Sequence, residues 1–113
     1  MIDYSIYLQD ILSNIEHAEN FAAGMSLDEF AKNYQASYAV VRCLEIIGEA
    51  CKQIPQNIRN KYPEIPWQRI IGTRNLIAHE YGVVDLEIIW GTVKNDLPIL
   101  KKQIQRIIAD LTQ

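Results

Sequence analysis

The chain is expected to fold as an all-α bundle of four main helices plus short helical pieces, and three observations predict it. Apolar residues recur at helical spacing along most of its 113 residues. Runs of alternating polarity joined by turn dipeptides are absent, which argues against strands. Capping residues, glycines and prolines fall where such helices begin and end. The length suits one domain spanning residues 1–113 with a core of its own.

The first helix is carried by Tyr4, Leu8, Ile11, Leu12, Ile15, Ala18 and Ala22, and Gly24 ends it. Ser26-Leu27-Asp28-Glu29 reads as a capping box, with Ser26 as N-cap, opening a short helix into Phe30. A long helix follows from about Tyr34 to Ile54. It is apolar along two lines: Tyr38, Val41 and Leu44, then Val40, Cys43, Ile47, Cys51 and Ile54. A helix apolar on two sides sits centrally in a bundle or lines a subunit interface. Pro55, Pro63 and Pro66 punctuate a loop with one turn around Gln56–Asn60. Pro66 then suits a helix start, so a fourth helix is expected from Trp67 to about Tyr81, closed by Gly82. Asp85 is the expected N-cap of the last helix, whose stripe is Leu86, Ile89, Val93, Leu97, Leu100, Ile104, Ile107 and Leu111. Pro98 interrupts that stripe without stopping it, which predicts a kinked C-terminal helix rather than two separate ones.

Composition narrows the function. Apolar residues are 49% and charged residues 22%, as in an ordinary soluble globular protein. Residues 1–41 hold six acids against Lys32, a net −5, while residues 42–113 hold ten bases against eight acids, a net +2. A generic polyanion binder is basic throughout, so any nucleic-acid chemistry belongs to a confined site. Cys43 and Cys51 fall eight residues apart on one expected helix, so their Cα atoms lie ~12 Å apart and beyond disulfide reach. A reduced cytoplasmic protein is expected. Met1-Ile2-Asp3-Tyr4 has neither the basic nor the apolar region of a signal peptide, and no uncharged apolar run approaches ~18 residues, so no membrane association is expected.

The chemistry concentrates in Arg74-Asn75-Leu76-Ile77-Ala78-His79-Glu80-Tyr81. His79 can move protons near neutral pH, and Arg74 can neutralise a phosphate with a fork of donors. Asn75 and His79 share a helix face at i, i+4. Arg74 lies roughly 140° round the axis from His79. It must therefore wrap round with its long stem, or both must overlook one cleft, or a two-fold axis must bring two motifs together. His79 in the last turn meets a helix dipole that favours its protonated ring, and Tyr81 follows with its hydroxyl at the edge of the same site. The chemistry expected of these residues is metal-independent RNA cleavage. His79 acts as general base or acid on the 2′-hydroxyl or the leaving 5′-oxygen, and Arg74 stabilises the phosphorane-like charge. Asn75 is the expected substrate-positioning residue, holding a phosphate oxygen or orienting the imidazole. The 2′-hydroxyl requirement makes RNA the substrate and DNA inert. No cofactor is called for, and His17 and His79 show no metal-ligand spacing with the cysteines.

At these residues the sequence resembles the HEPN superfamily, and in its longer form, Arg-x4-His-x-Tyr, the HepT toxins. Tyr38-Ala39-Val40-Val41-Arg42-Cys43-Leu44-Glu45-Ile46-Ile47-Gly48-Glu49-Ala50 resembles the HepT central helix. Pro66-Trp67 through Tyr81-Gly82 resembles the motif helix, and Asp96-Leu97-Pro98 the last one. The resemblance implies an all-α homodimer with ribonuclease activity, paired with an MntA-type minimal nucleotidyltransferase as antitoxin. It further implies that the antitoxin transfers AMP from ATP to the Tyr81 hydroxyl, placing bulk and negative charge over Arg74 and His79. The alternative is a non-catalytic module that binds a nucleotidyltransferase or nucleotide. A third reading is a structural dimer whose polar motif merely caps a helix. The remaining polar and aromatic residues have plainer expectations: His17 solvated, Arg42 with Glu45 and Glu49 an ion-pair row, and Tyr4, Tyr7, Tyr34, Tyr38, Trp67 and Trp90 packing residues.

Overall fold

The computed structural model describes residues 3–72 and 85–112. Among them every regular element is helical: α1 (Ser5–Phe21), α2 (Leu27–Lys32), α3 (Tyr34–Gln53), α4 (Gln56–Arg59), α5 (residues 67–72), α6 (Leu86–Gly91), a π-helical turn (Thr92–Asp96) and α7 (Leu97–Leu111). The chain therefore has the all-α architecture its periodicity predicts.

The α1 stripe is the centre of the core. Leu8, Ile11, Ile15, Ala18 and Ala22 are all fully buried, and α1 packs chiefly along α3, with α7 also against it. Gly24 follows with φ +73°, a left-handed conformation in which an L side chain is strained even though the space around it is open. The expected capping box forms in full: Glu29 N–H donates to Ser26 Oγ at 3.2 Å, and Ser26 N–H donates to Glu29 Oε1 at 3.1 Å. It fixes the short α2, whose Phe30 is fully buried.

Of the two apolar lines on α3, only one faces the core throughout. Val40, Cys43, Ile47, Cys51 and Ile54 are buried. The other turns from exposed at Tyr38 to buried at Leu44. Tyr34 and Tyr38 depart from their expected packing role, being 67% and 74% exposed, with rings stacked at 6.2 Å. The reason is angular: at ~100° per residue Tyr38 stands on the far side of the helix from Ile47. Asn33 caps this helix through a bond from Ala36 N–H. Cys43 and Cys51 are buried and unbridged.

Asp85 caps α6 as expected, accepting from the N–H groups of Glu87 and Ile88. The last stripe is buried at Ile89, Val93, Leu97, Leu100, Ile104 and Ile107, while Leu111 at its end is exposed. The helix runs on through Pro98, and its irregularity precedes the proline. Leu97 N–H donates to Thr92 O, five residues back, so a wide turn adjusts the hydrogen-bond register just before the residue that lacks a donor.

Candidate active site

The four residues that carry the expected chemistry, Arg74, Asn75, His79 and Tyr81, lie outside the described residues, as do the rest of the expected motif helix and Gly82. Their flanks are described on both sides. On the entry side, Trp67 anchors the start of α5. Its ring is 6% exposed, its indole Nε1 donates to Tyr62 O at 3.1 Å, and Ile70 N–H reaches Pro66 O at 3.0 Å. Pro66 therefore stands at the helix start, as its fixed φ and missing donor favour. Ile70 and Ile71 are partly buried against the core.

On the exit side, the Asp85 cap begins α6, and Trp90 Nε1 donates to Met25 O at 3.1 Å. Lys94 Nζ donates to Ala22 O at 3.0 Å, placing a cation on the carbonyl end of α1, where the helix dipole favours it. The two flanks also meet each other: Arg69 and Asp96 form an ion pair at 3.7 Å. Both partners are largely exposed, so the pair guides geometry more than it stabilises. Neither this pair nor the Lys94 anchor follows from spacing along one helix, so neither is legible in a periodic pattern.

The remaining polar candidates are resolved simply. His17 is exposed on α1, with Ser13, Glu16 and Asn20 exposed around it. Arg42 and Glu45 form a long i, i+3 pair at 3.9 Å on the surface of α3. Among the described residues no group of three or more His, Cys, Asp or Glu side chains is placed to hold a metal ion. Nor is any described helix long and apolar enough to cross a membrane. Burial pushes the Cys51 thiol up to about 12, and that of Cys43 upward as well. Neither is a reactive nucleophile.

Comparison with known proteins shows the family to which this all-α chain belongs. A family described as HepT-like, ribonuclease HepT-like, matches residues 11–107. A Methanocaldococcus jannaschii protein provisionally named an RNase is 44% identical over 111 residues, covering 98% of this chain and 96% of that one. A second protein of that organism, similarly named, is 44% identical over 109 residues, covering 96% and 90%. A Thermococcus cleftensis protein named a probable ribonuclease HepT is 40% identical over 101 residues, covering 89% and 92%. No solved structure matches the chain significantly. The chain belongs to the HepT-like ribonuclease family.

Proposed function

We propose that the protein is the ribonuclease toxin of a HepT/MntA-type pair, cutting RNA without a metal at Arg74 and His79 and silenced by AMP transfer to Tyr81. The observation that carries this reading is that Arg74-x4-His79-x-Tyr81 stands inside the span, residues 11–107, matched by the ribonuclease family.

In the cleavage step the ribose 2′-oxygen attacks the adjacent phosphorus and the P–O5′ bond breaks, leaving a 2′,3′-cyclic phosphate and a free 5′-hydroxyl. His79 takes the 2′ proton or delivers one to the leaving oxygen. Arg74 offsets charge on the non-bridging oxygens, and Asn75 positions the phosphate or the imidazole. A homodimer supplies two histidines about a two-fold axis, so one serves as base while the other serves as acid. The exposed, stacked Tyr34 and Tyr38 on the outer side of α3 support such an association, since paired aromatics are common anchors of interfaces. Silencing transfers AMP from ATP to the Tyr81 oxygen with release of pyrophosphate, and the new phosphate competes with substrate for Arg74.

The test is growth and RNA integrity in cells expressing the chain with and without a cognate nucleotidyltransferase. Toxicity should vanish in Arg74→Ala and His79→Ala, whose melting temperatures should match wild type. With the partner it should vanish in wild type but persist in Tyr81→Phe. Toxicity and RNA loss that survive both alanine variants would remove the catalytic assignment.

A further inference from the structure

The residues that join α4 to α5 enclose an open groove of about 520 Å³, lined by Gln56, Arg59, Asn60, Pro66, Gln68 and Arg69 among others. Among the described residues its polar lining is two arginines and three carboxamides with no carboxylate, set beside the apolar Pro63, Ile65, Pro66 and Trp67. The surrounding sequence is equally biased. Residues 52–74 hold five bases (Lys52, Arg59, Lys61, Arg69 and Arg74) against Glu64, a net +4 in a chain whose total is −3. The C-terminal two thirds of the chain, +2 in all, is thus most basic along the stretch that carries this groove.

The arginines are held differently. Arg59 is half-buried, with its Nε committed to Ile54 O at 3.0 Å, which fixes the direction of its guanidinium. Arg69 is 76% exposed and pairs with Asp96 at 3.7 Å, so its guanidinium reaches solvent. Gln56 Nε2 donates to Asn60 Oδ1 at 2.9 Å, which orients both amides along one wall. Pro63 and Pro66 give the groove apolar surface.

We infer that this groove binds the backbone of single-stranded RNA on its way to the motif, with Arg59 and Arg69 on successive phosphates and Gln56, Asn60 and Gln68 towards the ribose and base edges. The inference rests on the ribonuclease reading and adds a substrate-positioning surface to it. The groove positions and does not react. A flexible strand held by guanidiniums and carboxamides is recognised chiefly through its phosphates.

The test is fluorescence anisotropy of a labelled single-stranded RNA in the uncut His79→Ala background, across a salt series. It uses preparations whose intact mass is that of the unmodified chain, with wild-type cleavage followed alongside. Arg69→Gln and Gln68→Glu should each weaken binding about three- to tenfold. Arg69→Gln should also lower the slope of log affinity against log salt by about 0.7, one phosphate contact on a single strand. Arg69→Lys should restore most of the affinity. Lys102→Gln, an equal charge change outside the groove, should do neither. Wild-type cleavage with affinities and slopes unchanged in the groove variants overturns the groove and leaves the nuclease standing. Equal losses in Lys102→Gln overturn it too, as general charge. Groove-dependent binding without wild-type cleavage upholds the groove and removes the nuclease reading. Neither binding nor cleavage removes both.

Discussion

Trp90 and Met25, 65 residues apart, are joined by a hydrogen bond from the indole Nε1 to the Met25 carbonyl at 3.1 Å. The bond ties the start of the last helical run to the turn between α1 and α2, and Lys94 does the same one turn later at Ala22. The chain leaving the motif segment is therefore seated on the end of the α1 stripe.

Trp90→Phe removes that donor together with part of the indole's packing against the core. Trp90→Phe leaves the Met25 carbonyl in a part-buried place without its partner, at a cost of about 1 kcal/mol. Thermal unfolding should show Tm lower by about 4–8 °C. An unchanged Tm would mean that solvent replaces the indole.

The capping box gives a pH dependence with a definite sign. The Ser26 backbone N–H holds the Glu29 carboxyl below its ordinary range, with the Ser26 hydroxyl adding to it. A carboxylate depressed in the folded state stabilises above its unfolded pKa, and that stability is lost as pH falls through the folded value. The Tm difference between wild type and Glu29→Gln should therefore be largest near neutrality and shrink below about pH 4. A difference that is constant down to pH 2 would contradict a role for the ionised box.

Cys43 and Cys51 should behave as core atoms. With the Cys51 thiol raised to about 12 by burial, neither should alkylate at pH 8 in the folded protein, and both should do so on unfolding. Intact mass after iodoacetamide reads this directly, and rapid native labelling at Cys51 would contradict its burial.

Tyr38 tests the association. If the exposed tyrosine pair sits in the proposed dimer, Tyr38→Glu should shift the molar mass seen by light scattering from dimer towards monomer with Tm measured on the same sample. A wild-type monomer, or a Tyr38→Glu dimer of undiminished affinity, would place the interface elsewhere or remove it.

Most of the fold was legible because it is written in local patterns. The α1 stripe, the Ser26–Glu29 box, the left-handed Gly24 and the Asp85 cap each follow from residues within a turn or two of one another. Tyr34 and Tyr38 were misjudged because residue type says how apolar a side chain is, while the face it occupies depends on which stripe wins the core. The wide turn at Thr92–Asp96 was not legible, because the apolar stripe runs through it unbroken from Ile89 to Val93 and Leu97. Contacts between distant segments, such as Lys94 with Ala22 or Tyr62 with Asp110, leave no periodic trace. Arg74, Asn75, His79 and Tyr81 were legible as a motif, and their arrangement in space is what the function still turns on.

The most direct measurement is cleavage of total RNA by the purified chain in EDTA, beside His79→Ala prepared identically, both verified by intact mass to be unmodified. The account predicts fragments ending in 2′,3′-cyclic phosphate from the wild type and intact RNA from the variant. Intact RNA in both, or equal cleavage in both, would contradict a metal-independent nuclease centred on His79.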